Sequence, residues 1–200
     1  MGRPMCATPI FACILALALV LPAWAGSPTE KIRETTDKIL AVVTDPALKA
    51  PDRAKERKLL IRKAVDERFD WEEMARRSLA RYWAQRTDKE KKDFVDLFGQ
   101  LLERTYLDKV EGYSGEKVIY EGESVDGDYG VVNMKILTTT NQEIRVEYRM
   151  KSKDGDWLVY DISIEGVSLV NNYRVQFSSI LARSPYPELV RRLQEKVSEE

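Results

Sequence analysis

Gln142-Glu143-Ile144-Arg145-Val146-Glu147-Tyr148-Arg149-Met150 alternates apolar and charged residues from Ile144 onward, and Asp154-Gly155-Asp156 separates it from a second run, Trp157 to Ile164. A period of two places Ile144, Val146, Tyr148 and Met150 on one face and Arg145, Glu147 and Arg149 on the other, which is the pattern of a half-buried strand. Asp-Gly between two such runs marks a tight hairpin. The second face of the first run is wholly charged, so the sheet is expected to be covered on one side and wet on the other.

Working back from this hairpin, Val132, Met134 and Ile136 alternate with Asn133 and Lys135, Asp126-Gly127-Asp128 is a turn, and Val118 to Glu123 is a short strand. The first half of the chain changes period. Ser27-Pro28-Thr29-Glu30 is a capping box with Pro at the first helical position, opening a helix with Ile32, Ile39, Leu40 and Val43 inward that ends near Asp45-Pro46. Asp52 is placed to cap a second helix carrying Leu59, Leu60, Ala64 and Val65, and Asp70 a short third one. Thr87-Asp88-Lys89-Glu90 is another capping box, and the helix after it shows Phe94, Val95, Phe98, Leu101, Leu102 and Val110 at three-and-four spacing. Beyond Gly166 the helical period returns, through Leu169, Tyr173, Phe177, Ile180 and Leu181, and Ser184-Pro185 begins a terminal helix. Helices, an antiparallel meander and helices again specify an α+β domain.

Residues 1–25 read as a cleavable export signal: Arg3, an apolar run from Ile10 to Leu21, Pro22, and Ala23-Trp24-Ala25 as the small-x-small cleavage pattern. The run is shorter than the roughly 20 residues a spanning helix needs. Residues 26–200 then fit one domain. Both cysteines, Cys6 and Cys13, fall in the leader, which leaves a remainder without thiol or disulfide. With 32 Lys+Arg against 33 Asp+Glu, the balance argues against nucleic acid as the main partner. There is no histidine, which excludes Ser-His-Asp and Cys-His catalysis and imidazole metal sites. Asp126/Asp128 and Asp154/Asp156 each bracket a Gly between strands, so turn chemistry accounts for them better than a hard cation does. Glu72-Glu73 suits the first turn of a helix rather than paired-carboxylate catalysis. No metal site and no catalytic residue is expected. The many bulky apolar residues are compatible with a filled core or with a lined pocket, and periodicity alone does not separate the two.

Two stretches carry a resemblance. One runs Phe69-Asp70-Trp71-Glu72-Glu73-Met74-Ala75-Arg76-Arg77-Ser78-Leu79, continued by Tyr82-Trp83 and by Phe94 through Tyr106. The other runs from Trp157-Leu158-Val159-Tyr160-Asp161 through Glu165-Gly166-Val167-Ser168-Leu169-Val170 to Asn171-Asn172-Tyr173-Arg174-Val175-Gln176-Phe177. Together they resemble the MlaC family, the toluene-tolerance family of periplasmic proteins, over roughly residues 28–195.

The resemblance implies a helical layer on one face of a curved, mainly antiparallel sheet, enclosing an apolar lipid cavity. It implies a periplasmic carrier, not an enzyme, that shuttles phospholipid between an outer-membrane lipoprotein–porin complex and an inner-membrane ABC transporter with an MCE-domain subunit. A hopanoid or other lipid, or a non-lipid adaptor role with a filled core, are the alternatives. No cofactor is expected apart from lipid as cargo. As lipid-contacting residues this reading points to Val132, Met134, Ile136, Ile144, Val146, Tyr148, Met150, Ile162 and Ile164 on the sheet, and to Trp71, Met74, Leu79, Phe94, Phe98, Leu101 and Phe177 on the helices, with Arg174 as a candidate head-group contact. Asp161, Asn172, Tyr173 and Gln176 match the family string and are expected to tie sheet to helix.

Overall fold

The computed structural model describes residues 26–198; the expected leader, with Cys6 and Cys13, lies outside the described residues. Four helices come first: α1 (Pro28–Thr44), α2 (Ala54–Asp66), α3 (Trp71–Leu79) and the longest, α4 (Asp88–Glu111). Strands β1 (Lys117–Asp126), β2 (Tyr129–Leu137), β3 (Glu143–Lys153), β4 (Asp156–Ile164) and the two-residue β5 (Val167–Ser168) follow, and α5 (Leu169–Leu181) and α6 (Tyr186–Ser198) complete the chain. The five strands form one antiparallel sheet in sequence order.

Local chemistry sets the element ends. Both capping boxes form: the Ser27 and Thr87 hydroxyls accept from the Glu30 and Glu90 amides, while each Glu carboxylate accepts from the cap's own amide. Asp70 caps α3 by accepting from the Glu73 amide at 3.0 Å. Asp52 does not cap α2; it lies inside a 3-10 turn, Pro51–Arg53, because Pro51 starts the coil one turn early. The buried face of α2 is also rotated from expectation. Ile61 and Ala64 are buried, whereas Leu59 is 68% exposed. The two Asp-Gly-Asp sequences are hairpin turns. Asp154 and Gly155 have φ of 52° and 83°, the consecutive positive values of the two-residue turn that matches strand twist.

Two bulges interrupt the ladders. Tyr120 pairs with Met134 and Gly122 with Asn133, so Glu121 is extra in β1. Arg149 pairs with Asp161 and Met150 with Val159, so Tyr160 is extra in β4. Each bulge swaps the faces of the residues beyond it.

Apolar side chains gather in three clusters rather than one. Helices α3, α4, α5 and α6 share the largest, built on Phe94, Phe98, Tyr173, Phe177 and Leu189. A second lies on the sheet under α1, with Ile32, Val132, Met150 and Val159. The third joins α1, α2 and α4 through Val43, Ile61 and Leu107. Phe69, on the segment between α2 and α3, packs against both the first and the second. That segment is fixed by a short parallel bridge: the Asp70 amide donates to Val159 O at 2.9 Å, and the Val159 amide to Arg68 O at 2.8 Å.

Candidate functional site: the inner face of the sheet

Residues directly opposite across a ladder share a face, so the register maps the face beneath the helices row by row. Tyr120, Met134, Val146 and Ile164 form one row; Val132, Tyr148 and Ile162 a second; Val118, Ile136 and Ile144 a third. All nine sheet residues singled out from the sequence fall on this face. Val118, Tyr120 and Val159 complete it and were missed, although Val118 and Tyr120 already stood two apart in a strand pattern.

The face is filled unevenly. At one end Val132, Met150 and Val159 have no exposed surface and are packed by Ile32 and Phe69. Toward the other end Met134 and Val146 are buried yet belong to none of the three clusters. Around them Ile136, Ile144, Tyr148, Ile162 and Ile164 are half-buried. Together they make an apolar strip that continues the face beyond its packed end.

Tyr148, in the second row, also packs against the cluster of Ile32, Val132, Met150 and Val159. Burial pushes its hydroxyl up to about 12, with the nearby Tyr120 adding to the shift. The Tyr120 hydroxyl is buried without a hydrogen-bond partner among the described residues, and burial raises its pKa as well. The Thr36 hydroxyl beside it donates instead to Ile32 O at 2.9 Å. Arg33 stacks over the Tyr120 ring at 4.1 Å.

The helical residues divide from the sheet residues. Met74, Leu79, Phe94, Phe98, Leu101 and Phe177 sit together in the α3–α6 cluster. There Phe94, Phe98, Tyr173, Phe177 and Tyr186 contact one another with ring centroids 5.3–6.4 Å apart. At that spacing the rings are each other's neighbours, and no acyl chain fits between them. Their helical period marks an inward face, but the face is turned to other helices. Trp71 packs at the rim of this cluster, its indole N–H donating to Asp66 Oδ1 at 2.7 Å and its ring beneath Arg62 at 5.2 Å.

Arg174 is also elsewhere. It is exposed on α5, donates to Asn171 Oδ1 at 2.5 Å, and lines a cleft with Arg149 and Asp161, which alternate with Tyr148 and Ile162 and so lie on the opposite sheet face. The expected head-group contact is therefore separated from the inner face by the sheet. Asp161 ties sheet to helix as expected: it accepts from the Ser168 hydroxyl at 2.6 Å and from the Val170 amide at 3.0 Å. Among the described residues no group of three or more His, Cys, Asp or Glu is placed to hold a metal ion, and no helix is long and apolar enough to cross a membrane.

Three comparisons bear on this arrangement. The family model for MlaC protein matches residues 33–195. The intermembrane phospholipid transport system binding protein MlaC of Haemophilus influenzae is 22% identical over 178 residues, spanning 86% of this chain and 83% of its own. A phospholipid-binding protein from Ralstonia solanacearum, solved in complex with a phospholipid, superposes with a TM-score of 0.78 at 25% identity, covering 86% of this chain and 98% of its own.

Proposed function

This chain belongs to the MlaC family, and from that premise we propose that it is a periplasmic carrier that holds phospholipid acyl chains in a hollow over the Met134 and Val146 end of the sheet's inner face and moves them between membranes. The leader delivers it to the periplasm and is removed, leaving residues 26–200 as one lipid-binding unit. It is the soluble component between an outer-membrane lipoprotein–porin complex and an inner-membrane ABC transporter with an MCE-domain subunit. It performs no catalysis, and lipid is its cargo rather than a cofactor.

The observation that carries the proposal is the row Tyr120, Met134, Val146 and Ile164: a continuous apolar floor across four strands on the face beneath the helices. Support comes from the phospholipid seen in the Ralstonia solanacearum neighbour of the same fold. Physical chemistry sets the requirement. At about 0.8 kcal/mol per methylene, two tails of roughly 30 methylenes gain about 24 kcal/mol by leaving water. A bilayer already provides that, so a carrier must match most of it with a dry apolar surface. Thioether and aliphatic side chains such as Met134, Ile136 and Ile144 adapt to tails of varied shape.

The full chain, expressed with its leader in a two-membrane bacterium and purified from the periplasm, is expected to carry one lipid in native mass spectrometry, identified as phospholipid on extraction. A hopanoid mass would change the cargo class. Bare protein that also takes up nothing from phosphatidylglycerol–phosphatidylethanolamine vesicles would contradict the proposal.

A further inference from the structure

On the far side of the sheet from the hollow lies an open cleft of about 1000 Å³, formed by the C-terminal end of α3, the 3-10 turn after it, β3–β4 and the exposed side of α5. Its walls carry Arg76, Arg77, Arg81, Arg149 and Arg174. The whole chain is balanced at a net charge of −1, so this concentration of one sign is local.

The neighbouring acids do not neutralise it. Glu73 is shared, accepting from Arg76 at 2.7 Å and from Arg77 at 2.7 Å. Arg149 donates to Glu147 at 2.8 Å and lies 3.7 Å from Asp161, whose oxygens already accept from Ser168 and Val170. Arg81 meets only the Tyr82 hydroxyl at 2.9 Å, and Arg174 only the Asn171 side chain, so neither has a carboxylate partner among the described residues. Five guanidinium groups therefore face three carboxylates.

The same cleft holds two apolar side chains open to solvent, Val167 at 56% and Val175 at 61% exposure. Arginine is enriched at protein-recognition surfaces, and the two exposed valines beside it offer apolar area that a partner would bury. We infer that this cleft docks a protruding segment of a partner protein that offers carboxylates to Arg81 and Arg174 and an apolar side chain to Val167 and Val175. A bilayer is the weaker fit, because its flat surface does not enter a concavity. A lipid head group from the hollow is excluded by the intervening sheet. The inference stands independently of what the inner face binds.

The test uses the full chain in its own cell, with Val175→p-benzoylphenylalanine as a photo-crosslinker. A protein adduct is expected whose cross-linked peptide contains Asp or Glu, with a yield that falls about tenfold in the Arg81→Glu/Arg174→Glu double variant and partially in Arg81→Gln/Arg174→Gln. Circular dichroism and the bound-lipid mass are expected to be unchanged in both, which separates this surface from the inner face. If the charge-reversed chain is unstable, the glutamine pair decides the outcome. A yield indifferent to either double variant, adducts with lipid alone, or arginine-dependent sedimentation with phosphatidylglycerol vesicles in place of a protein adduct each overturns the inference.

Discussion

Arg68 donates to Asp156 at 3.0 Å and to the Trp157 carbonyl at 2.6 Å from a position that is 5% exposed. Its Nε reaches the Thr35 hydroxyl at 3.3 Å, so one guanidinium holds α1, the segment before α3 and β4 together. Desolvation would raise the Asp156 carboxyl, but the Trp157 amide and the Arg68 charge overcome it and hold the group below its ordinary value. Arg68→Ala is expected to cost about 2–3 kcal/mol, because it strands the Trp157 carbonyl and Thr35 as well as the acid. Urea denaturation measures this. Arg68→Lys should recover less than half, since an ammonium does not reproduce the fork.

Asp161, 4% exposed, receives two donors at the start of α5, the hydroxyl of its N-cap Ser168 and the Val170 amide. Asp161→Asn keeps the size but weakens acceptance and turns an N–H toward one donor. A loss of about 1–2 kcal/mol is expected, together with faster amide exchange at Val170 and Asn171 while the α4 amides keep their protection. Uniform loss of protection across the molecule would contradict a local tie.

The uneven filling of the sheet makes a paired prediction. Phe98→Ala removes a ring from a packed aromatic group and should cost about 3–5 kcal/mol while lipid occupancy persists. Met134→Ala removes a side chain that lies outside the three packed clusters and should cost less than about 2 kcal/mol. Met134→Lys is expected to abolish lipid uptake while the folded circular dichroism spectrum is retained. Equal destabilisation by the two alanine substitutions would mean that the hollow is filled by protein.

Glu73 accepts from Arg76 and Arg77, and the Arg76 hydrogen bonds lead in holding its carboxyl near 2, from an ordinary 4.5, against the opposing effect of burial. A depressed folded value means that the contribution is complete above pH 4.5 and fades as pH falls toward 2. With solvent screening it amounts to about 1 kcal/mol. Urea midpoints at pH 7 and pH 3 should therefore converge between the native chain and Glu73→Gln as the pH drops.

The faces of β2 and β3 were readable in the sequence from their period of two, with Ile144, Val146 and Tyr148 lying with Met134 as their spacing requires, whereas the bulge at Tyr160 puts Val159 on the face of Ile162 against the period. The caps at Ser27, Asp70 and Thr87 were equally readable, since side-chain chemistry fixes them within three residues. What lay beyond reach was non-local. A helical period says that Phe94, Phe98 and Phe177 point inward, but not whether they meet a sheet or one another. The Arg68 clamp joins partners 33 and 88 positions away and leaves no local pattern. Arg174 fits its family string, but only the path of α5 shows that it belongs to the other side of the sheet.

The extra residue Glu121 in β1 acquires its importance at the border of the sheet. β1 is the outermost strand of the ladder, with unpaired amides and carbonyls along its free side and with Ile119 and Val125 partly or half exposed. An uninterrupted border of that kind is a template on which a second molecule adds its own strand. The bulge breaks the border at its middle, and Glu121, 3.4 Å from Lys135, adds a charge there. A second copy approaching this border therefore meets a kink and a charge between Ile119 and Val125 instead of a straight ladder.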